Sequence, residues 1–215
     1  MEAHIRSRRP PSSTSPFSSS SSPYSSQSPV SCAEFTVTDL ENMPYTQAVL
    51  KEILRFHPVV FHNYRQAGRD DVIPLSKPIK TKSGKVIGEI PIAKGTRVVL
   101  AIAAYNRDPD VWGEDSHTFN PDRWLTPRSK RGSSVGVYSN LLTFSGGLRS
   151  CLGWRFALYE MQAFLVELVS NFEFAITEDI KKLRREPCIV MVPVLEGNVE
   201  KGAQLPLKIS LARRD

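Results

Sequence analysis

The residues best suited to chemistry lie in FSGGLRSCLG, residues 144–153, where one cysteine follows two glycines and an arginine. A thiolate is a good metal ligand, and at the start of a helix it is stabilised by free N–H groups and the helix dipole. Gly146, Gly147 and Gly153 remove side chains where the backbone must approach something large and flat. The stretch therefore predicts a thiolate site facing a large, flat ligand.

Two further side chains of this loop fit the same interpretation. Arg149, two residues before the sulfur of Cys151, is placed to reach an anionic group on the edge of such a ligand. Phe144 is placed to shield the sulfur from water, and solvent access tunes the potential of a bound metal. The alternative is a buried structural cysteine in a glycine-rich turn, because free cysteines usually pack as small hydrophobic residues.

The other cysteines do not extend the site. Cys32, Cys151 and Cys188 are odd in number and far apart, and the sequence contains no CxxC pair. A structural zinc site and a disulfide framework are therefore disfavoured. We expect Cys188 to pack within a strand near the C-terminus.

A second pattern pairs opposite charges. Glu52 and Arg55 in KEILRFHP are three residues apart and share one face of a predicted helix, and FNPDRW carries Arg123. By itself the Glu52–Arg55 spacing is also compatible with an exposed ion pair worth about 0.3 kcal/mol.

Taken together, these motifs resemble a known family. The pattern Phe-x-x-Gly-x-Arg-x-Cys-x-Gly, filled by Phe144, Gly147, Arg149, Cys151 and Gly153, resembles the haem-binding signature of the cytochromes P450. The Glu-x-x-Arg pair and the later arginine follow in the family's order. The resemblance covers about residues 40–212.

The resemblance implies a role for each motif residue. Cys151 is the expected axial thiolate of haem b, where a thiolate favours O–O bond cleavage. Arg149 and Arg65 are expected at the haem propionates, although an ordinary surface arginine is the alternative for each. Phe144 is expected to pack under the haem, and Gly147 and Gly153 complete the signature.

The charged residues Glu52, Arg55 and Arg123 are expected to form a structural triad that holds the cysteine loop in place. Breaking one member of a buried network of this kind costs about 3–5 kcal/mol.

The implied activity is monooxygenation, in which one atom of O₂ enters a small organic substrate and an NADPH-dependent reductase supplies the electrons. Complete family members are longer, and the part before the Glu-x-x-Arg helix contains the distal haem helix with its acid–alcohol pair, most of the substrate pocket and, in microsomal members, the membrane anchor. No oxygen-activating residue is therefore identified here, and we expect impaired turnover. Alternatives are a non-catalytic haem-binding fragment, and a gene-model fragment that does not fold alone.

Composition sets the domain boundaries. In this chain of 215 residues, positions 1–33 are rich in serine and proline and predict a disordered leader, and residues 34–215 predict the haem-binding portion. The formal charge of +6 is scattered, which favours a solvated surface over nucleic-acid binding. Lys130 and Arg131, with Arg149, suggest a basic face for an acidic reductase, against the alternative of scattered surface charge.

No apolar run approaches the roughly 18 residues of a membrane span, and no secretion signal is present, so the sequence assigns no location. We interpret His57, His62 and His117 as solvated or hydrogen-bonded loop residues rather than ligands.

The expected fold is α+β and mainly helical, the C-terminal part of the cytochrome P450 fold. ENMPYTQAVLKEILRFHP predicts a helix beginning at Pro44, with apolar residues at Ala48, Val49, Ile53 and Phe56. IKTKSGKVIGEIPI predicts a hairpin, and KGTRVVLAIAAY a strand followed by a short helix.

The C-terminal part predicts one long helix and a pair of strands. CLGWRFALYEMQAFLVELVSNFEF has the helical period. The expected apolar face is Ala157, Met161, Phe164, Leu165, Leu168 and Val169. EPCIVMVPVL and LPLKISL are expected to form a terminal strand pair.

Overall fold

The computed structural model describes residues 35–126 and 135–213. The predicted leader, residues 1–33, lies outside the described residues, and so do Lys130 and Arg131.

The described chain mixes helices and strands, as the α+β prediction requires. The α-helices are α1 (Val37–Glu41), α2 (Pro44–Phe56), α3 (Ile102–Tyr105), α4 (Pro109–Trp112) and α5 (Trp154–Asn171). The strands are β1 (Asn63–Gln66), β2 (Asp71–Lys80), β3 (Val86–Ile92), β4 (Arg97–Leu100), β5 (Phe172–Ile176), β6 (Leu183–Cys188), β7 (Val190–Leu195) and β8 (Leu207–Leu211). Short 3₁₀ turns occupy Glu114–His117, Pro121–Trp124, Gly147–Arg149, Glu178–Lys182 and Val199–Lys201.

The strands form antiparallel two-stranded sheets, in which β1 pairs with β4, β2 with β3, β5 with β8 and β6 with β7. Among the residues that the structure describes, no helix combines the length and the hydrophobicity of a membrane span.

Helix α2 begins at Pro44 as predicted, because the missing proline N–H costs nothing in the first turn. Its buried face differs from the predicted apolar stripe. Leu50 and Leu54 are buried together with the charged Glu52 and Arg55, whereas Ile53 is exposed. The predicted stripe was wrong in part because it counted only apolar residues. Charged residues can also be buried when, like Glu52 and Arg55, they form an ion pair with each other.

The predicted hairpin is confirmed as β2 and β3. The Thr81 amide donates to the Lys85 carbonyl at 2.8 Å, and Gly84 has φ +86°, which a glycine adopts without a Cβ penalty. The strand followed by a short helix is confirmed as β4 and α3.

The C-terminal predictions need correction. Helix α5 ends at Asn171, and the FEF that was assigned to it opens β5. EPCIVMVPVL is itself the hairpin of β6 and β7, turning at Ile189 (φ +61°), while LPLKISL contains β8, which pairs with β5. Two strands that alternate in sequence need not pair with each other, since pairing is decided by which edges meet in space. Cys188 lies at the end of β6 but is exposed, so its predicted packing was wrong.

The main hydrophobic core lies beside the cysteine loop. It consists of Leu54, Trp112, Leu141 and Phe144, with the half-buried Val111, Trp124, Tyr138, Trp154, Ala157, Leu158 and Met161 packed against it. The first half of α5 therefore joins this core.

The second half of α5 does not follow the predicted apolar face. Phe164, Leu168 and Val169 are exposed in the described chain, although Ala157 and Met161 face the core as expected. The helical period identified the N-terminal half of the stripe correctly, whereas in its C-terminal half only Leu165 is half-buried in the described chain.

Candidate functional site

The cysteine loop presents its sulfur at the surface. Cys151 follows the 3₁₀ turn Gly147–Arg149 and precedes Gly153, the N-cap of α5, and its side chain is exposed. The Cys151 amide donates to the Phe144 carbonyl at 2.9 Å, and the Ser150 amide donates to the Gly147 carbonyl at 3.1 Å. These two bonds close the loop on itself, so the main chain at Cys151 is held in place by the loop's own hydrogen bonds.

The glycines of the loop serve different purposes. A Cβ on Gly146 would lie 2.2 Å from the Val135 carbonyl oxygen, so Gly146 is required by the chain's own packing. Gly147 has φ +65°, which a side chain would strain, and open space surrounds it. Gly153 has an ordinary φ and is also open, so its predicted contact with a bound group remains a prediction.

Exposed apolar side chains flank Cys151 in the sequence, a feature that the sequence reasoning missed. Leu148 and Leu152 have relative exposures of 105% and 101%, and Phe156, one turn further along, is 73% exposed. Large apolar side chains in such positions are costly in water and gain from being covered. Their placement on both sides of Cys151 could have been read from the loop sequence LRSCLG.

This arrangement fits a large, flat prosthetic group. No cluster of three or more His, Cys, Asp or Glu side chains is found within the described ranges, so Cys151 does not belong to a site with three such ligands there. A single thiolate suits a metal whose remaining ligands come from the prosthetic group itself.

The other predicted contacts are dispersed. Phe144 is buried in the core, with its ring edge-on to Tyr138 at a centroid distance of 6.3 Å. Arg149 is exposed, and its side chain makes no hydrogen bond or ion pair with any described residue. Arg65 lies on β1 and donates to Asn63 Oδ1 at 3.0 Å and to the Tyr64 carbonyl at 2.8 Å. The roles of these three side chains at a bound group therefore stay predictions.

Glu52 lies at the centre of a buried charge network. Its carboxylate accepts hydrogen bonds from Arg55 Nε (2.9 Å) and Nη2 (2.7 Å) and from Arg123 Nε (3.1 Å). The Asn120 amide (2.8 Å) and the Trp124 indole N–H (3.0 Å) complete its set of donors. Glu52 and Arg55 are fully buried, so the pair is not the exposed ion pair that the spacing alone allowed.

The two arginines tie this carboxylate to the loop before Trp124. Arg55 donates to the carbonyls of Ser116 (2.6 Å) and Thr118 (3.0 Å). Arg123 bonds the Asp115 carboxylate at 2.8 Å and donates to the Asp115 carbonyl at 3.0 Å. Helix α2 and this loop are therefore held together by ionic hydrogen bonds, which are stronger than neutral ones.

A chain of hydrogen bonds connects this network to the cysteine loop. Arg55 Nη1 donates to the Asn106 carbonyl at 3.0 Å. The Asn106 side chain donates to Thr143 Oγ1 at 2.8 Å and accepts from the Leu142 amide at 3.0 Å. Thr143 directly precedes Phe144, whose carbonyl holds Cys151. Asn106 was missed in the sequence because nothing nearby in the chain marks it as a link.

The histidines lie outside this network. His57 Nδ1 is 2.8 Å from Arg185 Nη1, His62 contacts the Tyr64 hydroxyl, and His117 is exposed at the end of its 3₁₀ turn.

Electrostatics favour the charged form of Glu52. Burial by itself raises the pKa of the carboxyl, but hydrogen bonds from Arg55, Asn120 and Trp124 and the charge of Arg55 lower it, and the net pKa lies below its ordinary value of 4.5. The folded protein therefore keeps Glu52 ionised where the unfolded chain would begin to protonate it.

Replacing Glu52 with glutamine is expected to lower the free energy of unfolding by about 3–5 kcal/mol, because Arg55 stays buried without a compensating charge and Arg123 keeps only the Asp115 carboxylate. Urea unfolding followed by circular dichroism measures this loss. Glu178→Gln is the matched control, since Glu178 pairs with Lys181 on the surface and should contribute at most about 1 kcal/mol. Equal losses in the two variants would contradict the assigned importance of Glu52.

Acid is expected to remove the contribution of Glu52. Because its pKa is lower in the folded state, the stabilisation is complete above the ordinary pKa of 4.5 and is lost as the pH falls through the folded value. The difference in unfolding free energy between the parent chain and Glu52→Gln should thus shrink as the pH is lowered from neutrality to below 4.5. A difference that stays constant over this range would contradict the lowered pKa.

Comparisons with known proteins agree with this geometry. The sequence model described as cytochrome P450 matches residues 27–199. Cytochrome P450 monooxygenase 128 of Postia placenta is 38% identical over 172 residues, which is 80% of this chain and 31% of that protein. A ganoderic acid synthetase of Ganoderma lucidum is 41% identical over 143 residues, covering 65% of this chain and 26% of that protein.

The fold comparison gives the same result. The solved structure of retinoic-acid-bound cyanobacterial CYP120A1 superposes with a TM-score of 0.59 at 25% identity, covering 82% of this chain and 35% of that one. The chain thus spans about a third of the length of the relatives that it matches. With an exposed cysteine held by its loop, a buried Glu-Arg-Arg network and these matches, the chain belongs to the cytochrome P450 family.

Proposed function

We propose that this chain supplies the thiolate side of a haem-dependent monooxygenase, which inserts one atom of O₂ into a small organic substrate with electrons from an NADPH-dependent reductase. The observation that carries the proposal is the exposed Cys151, fixed by the Phe144 carbonyl and flanked by exposed leucines, in a chain of this family.

Haem b is the proposed cofactor, and Cys151 would hold its iron through the side-chain sulfur. When bound, haem supplies the chemistry that binds O₂ and cleaves its O–O bond. Arg149 and Arg65 are proposed to pair with the propionates, since both carry charges that no described carboxylate neutralises. Gly147 and Gly153 leave open space beside the loop for the ring.

The protein's own contribution is positioning and exclusion of water. Leu148 and Leu152 are proposed to lie against the bound group and limit access of water to the sulfur, which affects the potential of a bound metal. Thr143 donates a hydrogen bond to the Leu54 carbonyl of α2 and accepts one from Asn106. The main chain at the start of the loop is therefore already ordered before the cofactor binds.

Electrons are proposed to enter on the face that carries the cysteine loop. Arg149 and Arg155 are exposed there, at either side of Cys151 in sequence, and suit an acidic partner surface.

The resemblance places oxygen-handling side chains in a part of the family fold that precedes the Glu-x-x-Arg helix. We therefore propose that the 215-residue chain by itself binds haem through Cys151 but turns substrate over slowly or not at all.

Replacing Cys151 with serine is expected to abolish the thiolate type of Soret band in the carbon-monoxide difference spectrum of the haem-reconstituted chain, because a serine hydroxyl does not replace a thiolate. Cys188→Ser is the matched control, since Cys188 is also exposed but lies at the end of β6. A band that survives in Cys151→Ser, or is lost in Cys188→Ser, would contradict the assigned ligand.

The reconstituted chain, mixed with reductase, NADPH and an alkoxycoumarin, is expected to show the thiolate band with little or no fluorescent product. Product that forms at rates typical of the enzyme class, about 1 s⁻¹ or more, would contradict the proposal of impaired turnover. Absence of the band would contradict haem–thiolate binding itself, and the two proposals therefore fail separately.

A further inference from the structure

A pocket opens at the C-terminal end of α2, between α3 and the hairpin of β6 and β7. It encloses about 290 Å³, near the lower limit for small-molecule sites. Its apolar wall consists of Pro58, Phe61, Ala103, Pro187 and Met191. None of these residues belongs to the cysteine loop or to the Glu52 network, so the pocket is separate from the site described above.

Two arginines complete the lining. Arg107, which follows α3, donates to the Phe56 carbonyl, and its guanidinium lies 4.3 Å from the centroid of the Phe56 ring. Arg185, on β6, bonds His57 Nδ1 at 2.8 Å and reaches the same Phe56 carbonyl at 3.5 Å. Both guanidinium groups therefore converge on the end of α2.

Neither charge is neutralised within the described chain. No carboxylate among the described residues lies within ion-pair distance of Arg107 or Arg185. By contrast Arg184, which precedes Arg185 in the chain, pairs with Glu196 at 2.6 Å. Arg107 Nε is buried and has no hydrogen-bond partner among the described residues. Buried polar groups are normally satisfied, and an orphaned N–H of a cation is costly.

The pKa values of Arg107 and His57 reflect the same excess of positive charge. Burial, followed by the charges of Arg185 and Arg55, lowers the pKa of Arg107. Burial and the charges of Arg185 and Arg107 also lower the pKa of His57. The two guanidinium groups repel one another, and an anion placed between them would be attracted by both.

We propose that this pocket binds a small monocarboxylate with an apolar body, the carboxylate pairing with Arg107 and Arg185 and the body lying against Phe61 and Met191. A carboxylate accepts paired N–H donors from a guanidinium. The apolar wall favours an organic acid over an inorganic anion, because only the organic acid has surface to bury there.

Calorimetric titration of the chain with octanoate tests the proposal. Octanoate is expected to bind at least about tenfold more tightly than acetate, octanol or inorganic phosphate, because only octanoate uses both the charge and the apolar wall. Equal binding of acetate or phosphate would show attraction by charge alone and overturn the proposal. Equal binding of octanol would overturn it too, since the arginines would then play no part.

A pair of neighbouring variants locates the site. Arg185→Gln is expected to weaken octanoate binding by about tenfold or more, through loss of a charge-assisted hydrogen bond. Arg184→Gln is the matched control on the same strand, and it should change the affinity less than about twofold because Arg184 pairs with Glu196 instead. Both arginines are exposed, so neither variant removes buried packing. Equal effects of the two variants would contradict the site.

Haem provides the last control. Adding haem should leave the octanoate affinity unchanged, since the pocket shares no residue with the cysteine loop. Loss of octanoate binding on addition of haem would indicate that octanoate binds to the exposed leucines beside Cys151, and it would overturn the proposal.

Discussion

The described structure depends most on the buried carboxylate of Glu52. A charge taken out of water is tolerated only when donors replace its hydration, and here two arginines, an indole and a main-chain amide do so. Helix α2 contributes Glu52 itself and one donor residue, Arg55, and residues 120–124 contribute the other three donor residues. Separating these elements would leave uncompensated charges inside the protein, so the network fixes their mutual position more firmly than apolar packing alone would.

The same constraint extends to the backbone of the cysteine loop. Arg55 donates one hydrogen bond to the Asn106 carbonyl. The Asn106 side chain in turn forms hydrogen bonds with Leu142 and Thr143, which immediately precede the cysteine loop. The hydrophobic core adds Leu54 and Phe144 from the two ends of this path. The backbone around Cys151 is therefore held in place by contacts that begin at helix α2.

Three arginines near the C-terminal end of α2 differ in how their guanidinium groups are buried and paired. Arg55 is fully buried but completely paired. Within the described ranges, by contrast, Arg107 has a buried N–H without a partner, and Arg185 bonds a histidine and a carbonyl but no carboxylate. A buried and fully paired arginine such as Arg55 stabilises the fold. Arginines without a carboxylate partner, such as Arg107 and Arg185, keep a positive charge that would attract an anion. The exposed leucines beside Cys151 are the apolar counterpart, since their side chains leave apolar surface uncovered within the described part of the chain.

The sequence alone determined the motif residues and the local elements. The cysteine loop, the Glu52–Arg55 spacing, the start of α2 at Pro44 and the hairpin of β2 and β3 are local patterns, which short-range sterics and hydrogen bonding decide. The tertiary structure decided that Glu52 is buried, that Asn106 links the network to the loop and that β8 pairs with β5 rather than with the hairpin before it. Those features join residues far apart in the chain, and their energies come from desolvation and from contacts that exist only after folding.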